Sequence, residues 1–193
     1  MTKVNFDIDI DFADRSSILS HIPGISAKLQ NGNAHNTGVY FSKVPTGHDG
    51  LATLDYKKAE DLGYMKLDLL NVSIYQHVRS ETHLNNLMKK DPNWQRLWQD
   101  PEFCKQVSHV GNYHSLLHSM KPDSIPRMAM FLSVIRPAKK HLQHRPWKEI
   151  AETVWQDPED GSYFYKKSHS ISYAALVAVH INLLEEVEDR LDN

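Results

Sequence analysis

One cysteine, Cys104, among 193 residues leaves no partner for an internal disulfide. No apolar run reaches the roughly 20 residues of a membrane-spanning helix, the longest being "YAALVAV" near the end. The opening "MTKVNFD" lacks the apolar stretch of a signal peptide. Together these absences lead to the expectation of a reducing, cytoplasmic setting and no membrane partner. The chain has no Gly/Ser-rich or Pro-rich linker, no internal repeat and no low-complexity segment. It also lacks the overall basic balance that usually marks a nucleic-acid binder, its formal net charge being -2.

What is present is an ordinary globular composition, 40 % apolar, with the charge unevenly spread. Between Leu117 and Lys148 lie Lys121, Arg127, Arg136, Lys139, Lys140, Arg145 and Lys148 against Asp123 alone. The final "EEVEDRLDN" is acidic, with Arg190 its sole cation.

Hydrophobic periodicity divides the chain in two. Residues 4–12 alternate at period two and are expected to form a strand, as are "TGVYFSKV" (37–44) and "YMKLDLL" (64–70). "YKKAEDLG" reads as a short helix stopped at Gly63. After about residue 72 the spacing turns helical: "SIYQHVRSETHLNNLMKK", "DSIPRMAMFLSVI" up to Pro137, "PWKEIAETVW", and a long final helix capped by Ser168 or Ser170. Asp100 followed by Pro101 reads as a helix cap with proline in the first turn. The fold class expected is α/β in the α+β sense. A small α/β lobe over 1–72 precedes a larger helical lobe over 73–193.

"NFDIDIDF" puts Asp7, Asp9 and Asp11 on one face of its strand, with Phe6, Ile8, Ile10 and Phe12 expected to face a core. Carboxylates at i and i+2 lie about 7 Å apart at their Cα atoms and repel unless water or cations intervene. Such a pair suits Mg²⁺, which prefers a few carboxylates together with substrate phosphates. Two ions bridged by two carboxylates, with a third from a neighbouring strand, could clamp an in-line phosphoryl displacement. Asp68 in "MKLDLL" is the natural third, and Lys66 on the same face could hold phosphate or neutralise Asp68. In "HVGNYHSLLH", His114 and His118 have the i, i+4 spacing of a zinc pair, but neither HExxH nor a cysteine pair accompanies them. Solvated or hydrogen-bonded histidines are the expectation there. Trp94, Trp98, Trp147 and Trp155 are expected in the core rather than as base-stacking platforms.

Five segments, taken in order, together resemble the bacterial C-family replicative DNA polymerases, the DNA polymerase III alpha subunit. "DIDIDF" resembles the family's "DFDVDF"-like strand, so that Asp9 and Asp11 fall on two catalytic aspartates. "HNTGVYFS" is similar to "HAGGVVI" at His35 and Gly38, and "YMKLDLL" to "LVKFDFLGL", placing the third catalytic aspartate on Asp68 and a lysine on Lys66. "LLHSMKPDSIPRMAMFLSVIRPA" is similar to a fingers segment at Pro122, Asp123, Arg136 and Pro137. "YKKSHSISYA" resembles "FNKSHSAAYA" at Lys167, Ser168, His169, Ser170 and Tyr173.

The resemblance implies a nucleotidyltransferase-type palm and helical fingers. It implies Asp9, Asp11 and Asp68 as catalytic and metal-binding residues for two Mg²⁺ ions, with Mn²⁺ as a substitute. Lys66, Arg136, Lys167, Ser168 and His169 would meet the nucleotide. The partners implied are a DNA primer-template and dNTP, with separately encoded replication proteins as further candidates. The setting implied is a bacterial cell, the compact size pointing to a phage or mobile-element version. The family's Gly-Ser phosphate loop precedes its aspartate strand, whereas six residues precede Asp7 here, and "PGISAK" (23–28), similar to the family's "GTMAAK", follows that strand. A noncatalytic relative that binds DNA or the replisome is the alternative this departure leaves open.

Overall fold

The computed structural model describes residues 8–159, 162 and 164–191. Asp7 and Phe6 lie outside the described residues. The chain has mixed α/β content and forms two units, Met1–Val78 and Arg79–Asn193.

The first unit contains a five-stranded mixed sheet among its described residues, in the order β1-β5-β3-β2-β4. Strand β1 (Ile8–Phe12) leads through helix α1 (Arg15–His21), capped by the Asp14 carboxylate on the Ser16 amide, into β2 (Ile25–Lys28). Strand β3 (Ala34–Tyr40) returns antiparallel to β2. The turn between them is built on Asn31-Gly32: Gly32 has φ 89° and the Leu29 amide donates to the Asn33 carbonyl at 2.8 Å. Strand β4 (Leu51–Asp55) ends in the cap of α2 (Tyr56–Asp61), where the Asp55 carboxylate accepts from the Lys57 and Lys58 amides. Strand β5 (Leu67–Asn71) and a 3₁₀ turn (Ser73–His77) complete the unit. Ala27, Tyr40, Val44, Ala52 and Ala59 form a small core between α2 and the β2–β4 end of the sheet.

Three strand expectations need correction; the third strand runs Leu67–Asn71 rather than 64–70. Ile8 and Ile10 do not face a core; they are 40 % and 38 % exposed, because β1 is the sheet edge. The second strand runs Ala34–Tyr40 rather than 37–44, since the Asn-Gly turn starts its pairing early and Phe41 is already exposed. "PGISAK" contributes β2 at Ile25–Lys28, with Ala27 fully buried.

The second unit comprises α3 (Glu81–Lys89), α4 (Trp94–Gln99), α5 (Pro101–Gln106), α6 (His114–Met120), α7 (Ile125–Val134), α8 (Trp147–Thr153) and α9 (Lys167–Leu191), with a 3₁₀ segment at Pro137–Leu142. The expected Asp100 cap is present, accepting from the Glu102 and Phe103 amides. The expected helix from Ser73 onward is broken: Ser80 caps α3 by accepting from the His83 amide, which leaves Ser73–His77 as a 3₁₀ turn in the first unit.

The centre of this unit is α7, buried from Met128 to Val134 and packed against α9. Neither Ser168 nor Ser170 caps α9, which begins at Lys167. The Ser170 hydroxyl is instead buried against that of Ser133 at 2.7 Å, tying the two helices by a polar contact in an apolar seam. By length and composition α9 could cross a membrane, but half of its apolar window is buried within the protein, as expected of a core helix. Trp94 lies in the core, with Trp98, Trp147 and Trp155 packed against it.

The acidic end of α9 is paired with cations within this unit. Arg79 and Arg190 both meet Glu186, Lys90 meets Glu185, and Arg96 meets Glu188. His83 accepts the Arg79 amide at Nδ1, which leaves Nε2 to donate to Glu186 at 2.7 Å. These donors hold the Glu186 carboxyl down at about 2, the His83 and Arg79 hydrogen bonds being the main causes. Lys139, in the basic stretch, is 5 % exposed and donates to the Thr153 and Gln156 carbonyls at the end of α8.

Candidate active site

Strands β1 and β5 run parallel in register, with Asp9 beside Asp68 and Asp11 beside Leu70. Residues in register on adjacent parallel strands project to the same face about 4.8 Å apart, so Asp9, Asp11 and Asp68 share one face. On the other side of β5, Gly38 of β3 stands opposite Asp68. A Cβ at Gly38 would come within 2.7 Å of Lys66 Cδ and 3.1 Å of His35 Cγ. The missing side chain therefore makes room for the Lys66 stem to pass over Gly38 toward Asp68.

The environments of the three carboxylates differ. Asp9 and Asp11 lie on the exposed edge strand, whereas Asp68 is 8 % exposed. Asp68 accepts the Thr37 hydroxyl on Oδ1 at 2.7 Å and the Lys66 ammonium on Oδ2. Asp11 is held above the usual carboxyl range, first by withdrawal of water from its surroundings and then by Asp9, while a hydrogen bond from Tyr75 opposes both. Tyr75 is itself pushed up by desolvation and by Asp11.

His35 completes the inner part of the site. Its Nδ1 accepts the Gly38 amide at 2.9 Å and lies 3.7 Å from Asp68 Oδ1. Nδ1 thus holds its lone pair, and contact with Asp68 is not a charged pair. Desolvation, Lys66 and Arg15 push the His35 pKa down, with Asp68 opposing, so the ring is neutral near pH 7. Tyr56 packs edge-on against it at 5.5 Å. Arg15, in the first turn of α1, sends its guanidinium to the Asn36 carbonyl while its amide donates to Asn71 Oδ1 at 2.7 Å.

In the second unit, Arg136 follows α7, its guanidinium 4.0 Å from the Tyr165 ring centroid and donating to the Tyr165 hydroxyl. Its buried Nε has no hydrogen-bond acceptor, and among the described residues no carboxylate pairs with it. Tyr165 stacks on Tyr173 at 5.6 Å, and His109 lies against Tyr173 at 4.7 Å. Lys167 is exposed with its ammonium 5.1 Å from the Trp155 ring centroid; Ser168 and His169 share the first turn of α9 with it. The structure thus groups Asp9, Asp11, Asp68 and Lys66 in one unit and Arg136, Lys167, Ser168 and His169 in the other.

Sequence reasoning missed Thr37, Tyr75 and Arg15. Thr37 lies inside the matched "HNTG" segment, next to Gly38, whereas nothing local marks Tyr75 or Arg15. His114 and His118 lie 6.5 Å apart, ring to ring. Among the described residues no group of three or more His, Cys, Asp or Glu side chains is arranged to hold a metal ion. The three aspartates share one face and are of the residue type that a hard divalent cation prefers. The obstacle is Lys66, which holds the Asp68 oxygen that a cation would need. Compared with protein-family models, curated proteins and solved structures, the chain matches none.

Proposed function

We propose that this chain is a DNA polymerase-like nucleotidyltransferase that adds deoxynucleotides to a DNA 3′ end, on the pattern of the bacterial C-family enzymes. The observation carrying the reading is the in-register placement of Asp9 beside Asp68, with Asp11 on the same face. The five motif segments support it by their order along the sequence.

Asp9, Asp11 and Asp68 would hold Mg²⁺, which when bound supplies charge neutralisation at the phosphates and activates the 3′ hydroxyl. Tyr75 orients the Asp11 carboxylate and Thr37 that of Asp68. Lys66 brings an ammonium to the same face for phosphate oxygens. Arg136, which lacks a carboxylate partner among the described residues, is suited to a phosphate, and Lys167, Ser168 and His169 offer further donors for nucleotide.

The test is extension of a labelled primer with dNTP and Mg²⁺, with and without template, by wild type and Asp9→Asn. Activity in the wild type and its loss in a folded Asp9→Asn variant is the expected result. The alternative is a noncatalytic DNA- or replisome-binding relative, favoured by the engagement of both Asp68 oxygens by internal donors. It predicts salt-sensitive DNA binding without extension.

A further inference from the structure

We propose that one end of the helical unit, where the last turn of α6, the first turn of α7 and the start of α8 meet, is a docking face for the phosphate backbone of duplex DNA. The inference takes its partner from the DNA reading above, and it serves the polymerase and the noncatalytic binder alike.

The three elements are tied side by side. The Ser119 hydroxyl of α6 meets His144 Nδ1, just before α8, at 2.8 Å. The Arg127 guanidinium of α7 lies 5.9 Å from the centroid of the Trp147 ring, which opens α8. Between the 3₁₀ segment and α8, the Gln143 amide donates to the Lys140 carbonyl and the Arg145 amide to that of Leu142, whose side chain is buried. On this frame Lys121, Lys140, Arg145 and Lys148 are exposed and Arg127 is half-buried. The backbone that carries these cations is fixed by packing, and their charges reach water.

Their charge is not balanced locally. Among the described residues, Arg127 pairs with Asp123 and Arg145 with Glu149, whereas Lys121, Lys140 and Lys148 have no carboxylate partner. Acids are not scarce in the same unit: Glu185, Glu186 and Glu188 of α9 take Lys90, Arg79, Arg190 and Arg96. Charges are thus matched along α9 and left in positive excess at this end. Such a surface attracts a polyanion, and the counterions released from its phosphates drive the binding.

Two observations favour duplex DNA. None of the large apolar side chains exposed among the described residues falls between Leu117 and Lys148, so the face has no anchor to insert into a bilayer. Trp147 packs against the core with Arg127 over it, rather than offering an open ring to the bases of a single strand.

The experiment measures binding of a fluorescein-labelled primer-template duplex to the full chain by anisotropy, without Mg²⁺ or dNTP, over about 50 to 300 mM NaCl. One variant, Lys121→Gln with Lys140→Gln and Lys148→Gln, removes the three lysines that lack a carboxylate. A control, Lys57→Gln with Lys89→Gln and Lys105→Gln, removes as much charge from exposed positions elsewhere. At about 100 mM salt the first triple variant is expected to bind at least about 20-fold more weakly than wild type, with a salt slope flatter by about 2–3. The control should change affinity less than about threefold. If the first triple variant does not melt cooperatively, Lys140→Gln and Lys148→Gln alone should each flatten the slope by about one; an unchanged slope in both contradicts the proposal.

Equal weakening by the two triple variants overturns the docking face, reducing it to net charge. So does a first triple variant that binds like wild type, a wild type that binds no duplex, or tighter binding to phosphatidylserine vesicles than to the duplex. Binding lost in the first triple variant alone, from a wild type that adds no nucleotide once Mg²⁺ and dNTP are supplied, upholds the face and overturns only the nucleotidyltransferase reading. Extension by wild type with unchanged binding in the first triple variant does the reverse.

Discussion

Asp9 and Asp68 stand at the same level on adjacent parallel strands, one on the exposed sheet edge and the other 8 % exposed beside a lysine. The two carboxylates therefore have unequal roles in stability. Asp68 is held by Thr37 of β3 and by Lys66 just before β5, and Asp11 is strained by loss of water and by its strand neighbour Asp9.

That crowding predicts a gain in stability where function is lost. The Asp11 carboxyl is raised in the folded state, so the fold binds its proton more tightly than the unfolded chain and stability falls as pH rises through the raised value. Asp11→Asn should raise the melting temperature by about 1–3 °C at pH 7 and remove the part of the pH dependence that Asp11 contributes. The check is thermal melting of wild type and variant from pH 4 to 8, beside primer extension, which Asp11→Asn should abolish.

Glu186 predicts the opposite slope. Its carboxyl is depressed from 4.5 to about 2 by His83 and Arg79, so its contribution is present above the unfolded value and is lost as pH falls toward 2. Glu186→Gln should melt about 2–4 °C below wild type at pH 7, with the difference closing near pH 2. Melting curves at the two pH values test this.

Gly38 should tolerate no side chain without disturbing Lys66. Gly38→Ala is expected to lower the melting temperature by a few degrees, about 1 kcal/mol, because the new Cβ would press on Lys66 Cδ and His35 Cγ. Removing the pressed Cδ relieves part of the clash, so Gly38→Ala and Lys66→Ala should combine to less than the sum of their effects. A double-mutant cycle by chemical denaturation measures the coupling.

The basic stretch divides into structural and exposed members. Lys139→Met leaves two carbonyls at the end of α8 without their donor and should cost about 1–3 kcal/mol. Lys140→Met and Lys148→Met, at exposed positions, should leave stability unchanged within about 0.5 kcal/mol. Denaturation of the three variants separates the groups.

Elements whose signals are local were legible in the sequence. The Asp100–Pro101 start of α5 and the stop of α2 before Gly63 each depend on neighbouring residues, and each is where its residues place it; α7 is helical as expected but buried all round from Met128 to Val134 rather than on one stripe. The Asp-rich strand and the "KLD" strand were legible as strands, but not as partners in register. Strands β2 and β4 are short, and the Asn31-Gly32 signal that would have extended β3 went unused.

The remaining features depend on residues distant in sequence. Glu186 meets His83 across 103 positions and Thr37 meets Asp68 across 31, so neither the partners of the acidic tail nor the second donor to Asp68 was legible locally. The outward position of Ile8 and Ile10 follows from β1 being the sheet edge, which alternation alone does not encode.

The measurement that bears most directly on the central claim is primer extension by wild type, Asp9→Asn and Asp68→Asn, each first shown to melt cooperatively. The account predicts Mg²⁺-dependent nucleotide addition by the wild type and a loss of at least about a thousandfold in either variant. Wild-type chain that binds primer-template but adds no nucleotide with Mg²⁺ or Mn²⁺, or variants that extend as well as wild type, would contradict it.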